Sequence, residues 1–102
     1  MSLGVFGATR VRNTLRTIDS RNVIAKLPGT DAADELVMYV AHWDHLGTDT
    51  NLSDDQVFNG AADNATGTAG LIEIARAFVQ AETSPRRSIL LLAVTAEEQG
   101  LL

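Results

Sequence analysis

The sequence contains no cysteine among its 102 residues. This absence excludes disulfide bonds, thiolate metal sites and cysteine nucleophiles, and it leaves the redox compartment undecided. Proline is scarce as well, with 2 residues, while 45% of the chain is hydrophobic. This is the composition of a globular chain and not of a disordered tail, and the length allows one domain at most.

Positive charge is also scarce, with 8 basic against 13 acidic residues and a net charge of −5. Only Arg86 and Arg87 stand side by side, so the basic surface of a nucleic-acid-binding protein is missing. The longest apolar runs, residues 36–41 and 89–94, are far shorter than the roughly 20 residues that a membrane-spanning helix needs. We therefore expect neither a nucleic-acid partner nor a membrane span.

The two ends of the chain favour a fragment of a longer protein. The opening Met1-Ser2-Leu3-Gly4 lacks a signal-peptide pattern, and residues 1–3 are compatible with a cloning remnant. The last residues, Gly100-Leu101-Leu102, look like the opening of an apolar helix, where a natural domain rarely ends.

The first part of the chain predicts strands. Residues 9–18 fit both helical and strand spacing, and we favour a strand. Residues 22–27 predict a second strand that ends in Leu27-Pro28-Gly29-Thr30, a turn signal that residues 31–34 prolong. We expect this strand to form an antiparallel hairpin with the strand that follows.

The rest of the chain predicts a crossover unit. Residues 36–41 and 88–95 are apolar without alternation, as in strands that are covered on both faces. Between them, residues 64–81 have the apolar stripe of an amphipathic helix. A strand, helix and strand in this order place the two strands in parallel, with the helix on one face of the sheet.

Three polar clusters follow these elements at the edge where an α/β sheet collects its ligand sites. They are His42-Trp43-Asp44-His45 after the first buried strand, residues 59–64 before the helix, and Glu97-Glu98 after the second buried strand. An imidazole with several carboxylates and no sulfur suits zinc, or less often cobalt or manganese. The sequence therefore predicts a metal site at this edge.

The motifs at residues 41–45 (AHWDH), 59–67 (NGAADNATG) and 95–102 (TAEEQGLL) resemble those of the zinc aminopeptidases with two co-catalytic metals, metallopeptidase family twenty-eight. The resemblance begins at about Ser20 and reaches the end of the chain. It implies an α/β fold, a mixed twisted sheet flanked by helices in the three-layer sandwich of zinc exopeptidases. Residues 1–102 then form a partial catalytic domain, truncated at its C-terminal end.

The resemblance also assigns roles to individual residues. His42 binds one zinc, Asp63 bridges two zincs and Glu98 binds the other. Glu97 is the general base. Asp44 lies two residues after His42, on the same face if the strand continues, and is expected to accept the second N–H of that imidazole. A later Asp and a later His, neither in this chain, complete the two coordination shells.

The implied activity is hydrolysis of the N-terminal peptide bond of a peptide by zinc-activated water, with the isolated fragment inactive. The alternatives are a carboxypeptidase, a glutaminyl cyclase with a single zinc, or a non-catalytic binding domain, against which the retained Glu97 argues. The resemblance further implies an exported bacterial enzyme. The open edge of a truncated sheet also predicts self-association of the fragment.

Simpler local explanations exist for each motif. Residues 95–98 also match a helix capping box, and Asp63 and Asn64 are good helix N-cap residues. His42 and Asp44 could form a hydrogen-bonded pair at a strand end, and we interpret His45 as a structural histidine. The joint occurrence of the clusters, in order and at predicted element ends, favours the metal site.

Overall fold

A computed structural model describes residues 4–15 and 17–100 of the chain. In chain order the elements are β1 (Val23–Leu27), β2 (Ala32–His42), β3 (Gly47–Thr48), β4 (Val57–Phe58), a π-helical turn (Ala61–Ala65), α1 (Thr66–Gln80) and β5 (Arg87–Val94). The chain is therefore α/β, as the sequence predicts. No helix within these ranges is long and apolar enough to cross a membrane.

The main sheet has the order β1-β5-β2, with β5 parallel to β2 and antiparallel to β1. The parallel crossover from β2 through α1 to β5 is therefore confirmed. The predicted hairpin between β1 and β2 is wrong, because β5 lies between them. β3 and β4 form a separate two-stranded ladder inside the long polar loop.

The turn after β1 shows why the hairpin does not form. Here the chain crosses the start of β5, where the amide of Thr30 donates to the carbonyl of Arg86 at 3.1 Å. A Cβ on Gly29 would lie 2.4 Å from the same carbonyl oxygen, so only glycine permits this approach. The backbone groups of the turn thus form hydrogen bonds with the start of β5, and β1 and β2 do not pair with each other.

Ser88 fixes this crossing point. Its side chain is fully buried, donates to the carbonyl of Ala33 at 2.7 Å and accepts from the amide of Gly29 at 3.0 Å. β2 consequently begins at Ala32, inside the predicted turn, with a register shift before Leu36. One hydroxyl thereby holds the turn and the start of β2 against the central strand.

Helix α1 covers one face of the sheet. Tyr39 is paired with Leu91 in the parallel register, and its ring lies 6.3 Å from that of Phe78 on α1. Leu71 and Ile89 are buried in this layer. The described residues leave the opposite face open, and its exposed apolar side chains include Ile24, Leu36, Met38 and Val40. The three-layer arrangement of the complete fold stays a prediction.

The strand predicted for residues 9–18 is wrong where it is described. Residues 9–15 and 17–18 have no regular secondary structure, and the side chains of Val11 and Leu15 are 72% and 90% exposed. Because these apolar side chains do not pack on another surface, neither the helical nor the strand spacing of this segment produces a helix or a strand. Arg16, residues 1–3, for which a cloning remnant stays a hypothesis, and the apolar residues 101–102 lie outside the described residues.

Candidate metal centre

The parallel strands β2 and β5 end side by side and bring the three polar clusters together. The amide of Trp43 donates to the carbonyl of Val94 at 2.9 Å, which extends the strand pairing by one residue. The hydroxyl of Thr68 in the first turn of α1 donates to the carbonyl of His42 at 3.1 Å. The start of the helix is thus held next to the end of β2, as the sequence predicts.

His42 lies at the centre of this edge, with a side chain that is 10% exposed. Its Nδ1 lies 3.1 Å from the main-chain carbonyl oxygen of Asp44, and since a carbonyl only accepts, Nδ1 carries the proton. Its Nε2 faces the carboxylates, with Asp63 Oδ1 at 3.0 Å and Glu97 Oε2 at 3.9 Å. The imidazole therefore presents Nε2 to the acidic cluster.

The carboxylate of Asp44 does not accept the hydrogen bond from His42 that the sequence predicts. Its Oδ1 lies 3.7 Å from Nδ1 of His42, so the main-chain carbonyl takes the hydrogen bond that was predicted for the carboxylate. The two carboxylate oxygens instead accept from the amides of Glu97 and Glu98, each at 3.4 Å. Ala96 adopts a positive φ of 65° at this turn. Asp44 thus joins the end of β2 to the turn that carries both glutamates.

Asp63 and Asn64 have separate functions at the start of α1. Their backbone is non-helical, and the peptide bond between them is cis. Asn64 Oδ1 accepts from the amide of Gly67 at 2.9 Å in the first turn of the helix. The carboxylate of Asp63 is 71% exposed and contacts His42. Helix capping thus explains Asn64 but not Asp63.

Glu98 is likewise not explained by a capping box. Residues 97–100 form turns, with the amides of Gln99 and Gly100 bonded to the carbonyls of Ala96 and Glu97. The carboxylate of Glu98 lies 3.0 Å from Nδ1 of His45. In the part of the chain that is described, this glutamate faces the acidic cluster and does not begin a helix.

His45 is the site residue that the sequence interpretation missed. Its ring lies edge-on to Phe58, with centroids 6.4 Å apart, and next to Gly60, where a Cβ would come within 2.8 Å of the imidazole. The only signal in the sequence is an imidazole in the same cluster as His42. Its position depends on the β3–β4 ladder, which the polar loop composition does not reveal.

The donors form two overlapping groups, in each of which one ligand atom per residue lies within 4.8 Å of the others. The groups are His42, Glu97 and Glu98, and His45, Asp63 and Glu98. Asp63 belongs to the second group and also contacts His42, so it faces both. Nitrogen and oxygen donors without sulfur are suited to zinc, and the residues present fit such a cation.

The acidic surroundings change the proton affinity of His42. Burial by itself would lower its pKa, but the hydrogen bonds to the Asp44 carbonyl and to Asp63, with the charges of Glu97 and Asp63, raise the pKa above the ordinary 6.5. The negative groups stabilise positive charge on this side chain. The same field favours a bound metal cation.

Comparisons with known proteins show the family of the chain. The sequence model of Peptidase family M28 matches residues 22–102. A protein named "Probable zinc metalloprotease" from Pyrenophora tritici-repentis is 40% identical over 80 residues, which are 78% of this chain and 16% of that protein. A "Glutamate carboxypeptidase 2 homolog" from Caenorhabditis elegans is 38% identical over 96 residues, 90% of this chain and 11% of that protein.

The chain thus spans about a sixth or less of the length of these relatives. A third relative, "Probable zinc metalloprotease Lema_P086240" from Leptosphaeria maculans, is 38% identical over 81 residues, 78% of this chain and 18% of that protein. No solved structure matches the chain.

Proposed function

Because the chain belongs to peptidase family M28, we propose that the protein carrying it is a zinc-dependent aminopeptidase that hydrolyses N-terminal peptide bonds. We further propose that residues 1–102 form the first part of its catalytic domain. One observation carries the proposal: His42, Asp63 and the adjacent Glu97 and Glu98, which come from three separate segments of the sequence, converge at one edge of the sheet.

The proposed metal ligands are His42 through Nε2, Asp63 as the bridge between two zinc ions, and Glu98. Zinc would activate a water molecule and polarise the peptide carbonyl. The main-chain carbonyl of Asp44 fixes the tautomer of His42, so that Nε2 is the nitrogen offered to a cation. The remaining ligands, an Asp and a His, are expected outside this chain.

Glu97 is the proposed general base. Its carboxylate is 38% exposed and lies 3.9 Å from Nε2 of His42, beyond hydrogen-bond distance but beside the proposed cation position. Asp44 holds the Glu97 amide and so fixes the backbone from which this side chain extends. From there Glu97 takes a proton from the attacking water and passes it to the leaving amine.

A carboxypeptidase is the second candidate, favoured by the name of the C. elegans relative. A cyclase with one zinc and a non-catalytic domain are further alternatives, and Glu97 argues against the latter, because a binding domain has no need of a base beside the cation. Peptides blocked at one end distinguish the two exopeptidases. An aminopeptidase cleaves only peptides with a free N-terminus, and a carboxypeptidase only those with a free C-terminus.

The test uses the intact protein, as wild type, Glu97→Gln and Glu73→Gln, with zinc content measured in each. Glu73 is an exposed glutamate on α1 paired with Arg76 and serves as the matched control. We expect Glu97→Gln to lower kcat by roughly 10²- to 10⁴-fold with zinc content unchanged, and Glu73→Gln to retain activity. Full activity in Glu97→Gln would end the general-base assignment. If the zinc-loaded wild type cleaved neither the peptide with a free N-terminus nor the one with a free C-terminus, the assignment as an exopeptidase would be wrong.

We also propose that the 102-residue chain alone has no peptidase activity, because each zinc would keep at most two of its expected protein ligands there. Its open apolar face and the free edge of β2 favour self-association. Robust turnover of an amino-acid anilide by this chain would contradict the proposal.

A further inference from the structure

The long loop between β2 and α1 encloses the second histidine of the chain. β3 and β4 pair Gly47 with Phe58, which returns the chain to the end of β2 and places the Phe58 ring edge-on to His45. The backbone of Gly60, which has a φ of 63°, also lies next to the imidazole. A Cβ at this position would lie 2.8 Å from Cγ of His45. The loop is therefore built closely around this ring.

Among the described residues, Glu98 is the acidic side chain within hydrogen-bond distance of the enclosed imidazole. Its Nδ1 lies 3.0 Å from Oε1 of Glu98, and the two side chains are 23% and 18% exposed. At this distance from a carboxylate oxygen, which only accepts, Nδ1 carries a proton and donates it. In this arrangement Nδ1 of His45 and Oε1 of Glu98 are bonded to each other.

We propose that His45 is a positioning residue that holds one carboxylate oxygen of Glu98 and leaves the other oxygen for the cation. The inference rests on the proposed function in one respect, namely that Glu98 is a metal ligand. A carboxylate at the end of a flexible side chain loses conformational freedom when it binds a metal. A donor that fixes it beforehand reduces this loss, and removal of such a partner typically weakens metal affinity 10- to 100-fold.

The test compares the intact wild type with His45→Ala, His45→Asn and Leu46→Ala. The asparagine amide can donate from about the position of Nδ1, whereas alanine cannot. Leu46 is the next residue in the chain, is 50% exposed and serves as the control. Zinc dissociation constants are measured by competition with a chromogenic chelator, and the d–d spectrum of the cobalt-loaded protein reports the ligand geometry.

We expect His45→Ala to weaken one of the two zinc sites by about 10- to 100-fold, with both sites still filled at saturating zinc. His45→Asn should restore most of this affinity and the wild-type cobalt spectrum, and Leu46→Ala should match the wild type. At saturating zinc, kcat of His45→Ala should fall while KM stays unchanged, because in this role His45 acts through Glu98 and not on the substrate.

Two results would overturn the inference. Equal zinc affinities of wild type and His45→Ala would show that Glu98 needs no such partner. Loss of one zinc at saturation in both His45 variants would make His45 a ligand itself. If His45→Ala does not fold, Gly60→Ala keeps the imidazole but displaces it, and unchanged zinc affinity there would refute the role. A wild type that binds zinc but cleaves no peptide would refute only the proposed function, since the affinity comparison is independent of activity.

Discussion

Replacing Ser88 by alanine tests whether a single hydroxyl holds the unexpected strand order. The side chain is fully buried and satisfies the amide of Gly29 and the carbonyl of Ala33. Its removal leaves a part-buried N–H without its acceptor and a carbonyl with one partner fewer. A buried unsatisfied polar group costs about 1–3 kcal/mol, so we expect Ser88→Ala to lower the free energy of unfolding by about 2 kcal/mol, or roughly thirty-fold in the equilibrium constant.

Urea unfolding of the intact protein measures this loss, and hydrogen exchange at the Gly29 amide shows whether it arises at the turn. Ser84→Ala is the matched control, since Ser84 is an exposed serine in the loop before β5, where surface substitutions usually change stability by less than about 0.5 kcal/mol. If Ser88→Ala were as stable as Ser84→Ala, with unchanged exchange at Gly29, the hydroxyl would not hold the crossing point.

Three further predictions follow from individual contacts. The raised pKa of His42 means that protonation of this side chain stabilises the folded metal-free protein. This stabilisation is fully present below the unfolded-state pKa of 6.5 and is lost as pH rises through the folded-state value. The Tm difference between metal-free wild type and His42→Gln should therefore shrink above pH 6.5, and a constant difference would contradict this. The hydrogen bond from Arg86 lowers the pKa of Asp31 below 3.8, a stabilisation present above pH 3.8 and lost as pH falls through the folded-state value, so NMR titration should find a midpoint below 3.8 that rises in Arg86→Gln. An unchanged midpoint would refute the pairing. Gly70 lies within α1 with no described atom within 4 Å of a Cβ, so Gly70→Ala should stabilise the protein by about 0.5–1 kcal/mol in urea unfolding, and destabilisation would show that another part of the protein packs there.

The crossover unit and the convergence of the site were predictable from the sequence, because both depend on local patterns. Two apolar runs around an amphipathic stripe predict parallel strands, and parallel strands end at the same edge. His42 and Glu98 follow those ends within a few residues, so their meeting needs no further information. The same argument brings Asp63 to this edge, because it precedes the helix that connects the strands.

The strand order was not predictable, because it depends on contacts between distant residues. The turn at Pro28-Gly29 signals that the chain reverses but not which strand lies beside β1. That choice depends on the approach of Gly29 to Arg86 and on the buried hydroxyl of Ser88, 59 residues from Gly29. Neither contact leaves a periodic pattern in the sequence.

Two details of the site were missed for similar reasons. Asp44 was placed by strand alternation, but β2 ends at His42, so its carboxylate turns to the amides of Glu97 and Glu98. His45 was interpreted as structural because nothing in a polar loop predicts that Phe58 returns to its ring.

The central claim is that His42, Asp63 and Glu98 hold a pair of zinc ions at the edge where β2 and β5 end. Anomalous diffraction at the zinc absorption edge, from crystals of the intact zinc-loaded protein, tests it directly. The account predicts two peaks roughly 3.5–4 Å apart, one beside Nε2 of His42 and one beside the Glu98 carboxylate, with Asp63 in contact with both. Peaks remote from these three side chains, or zinc bound without any of them, would contradict it.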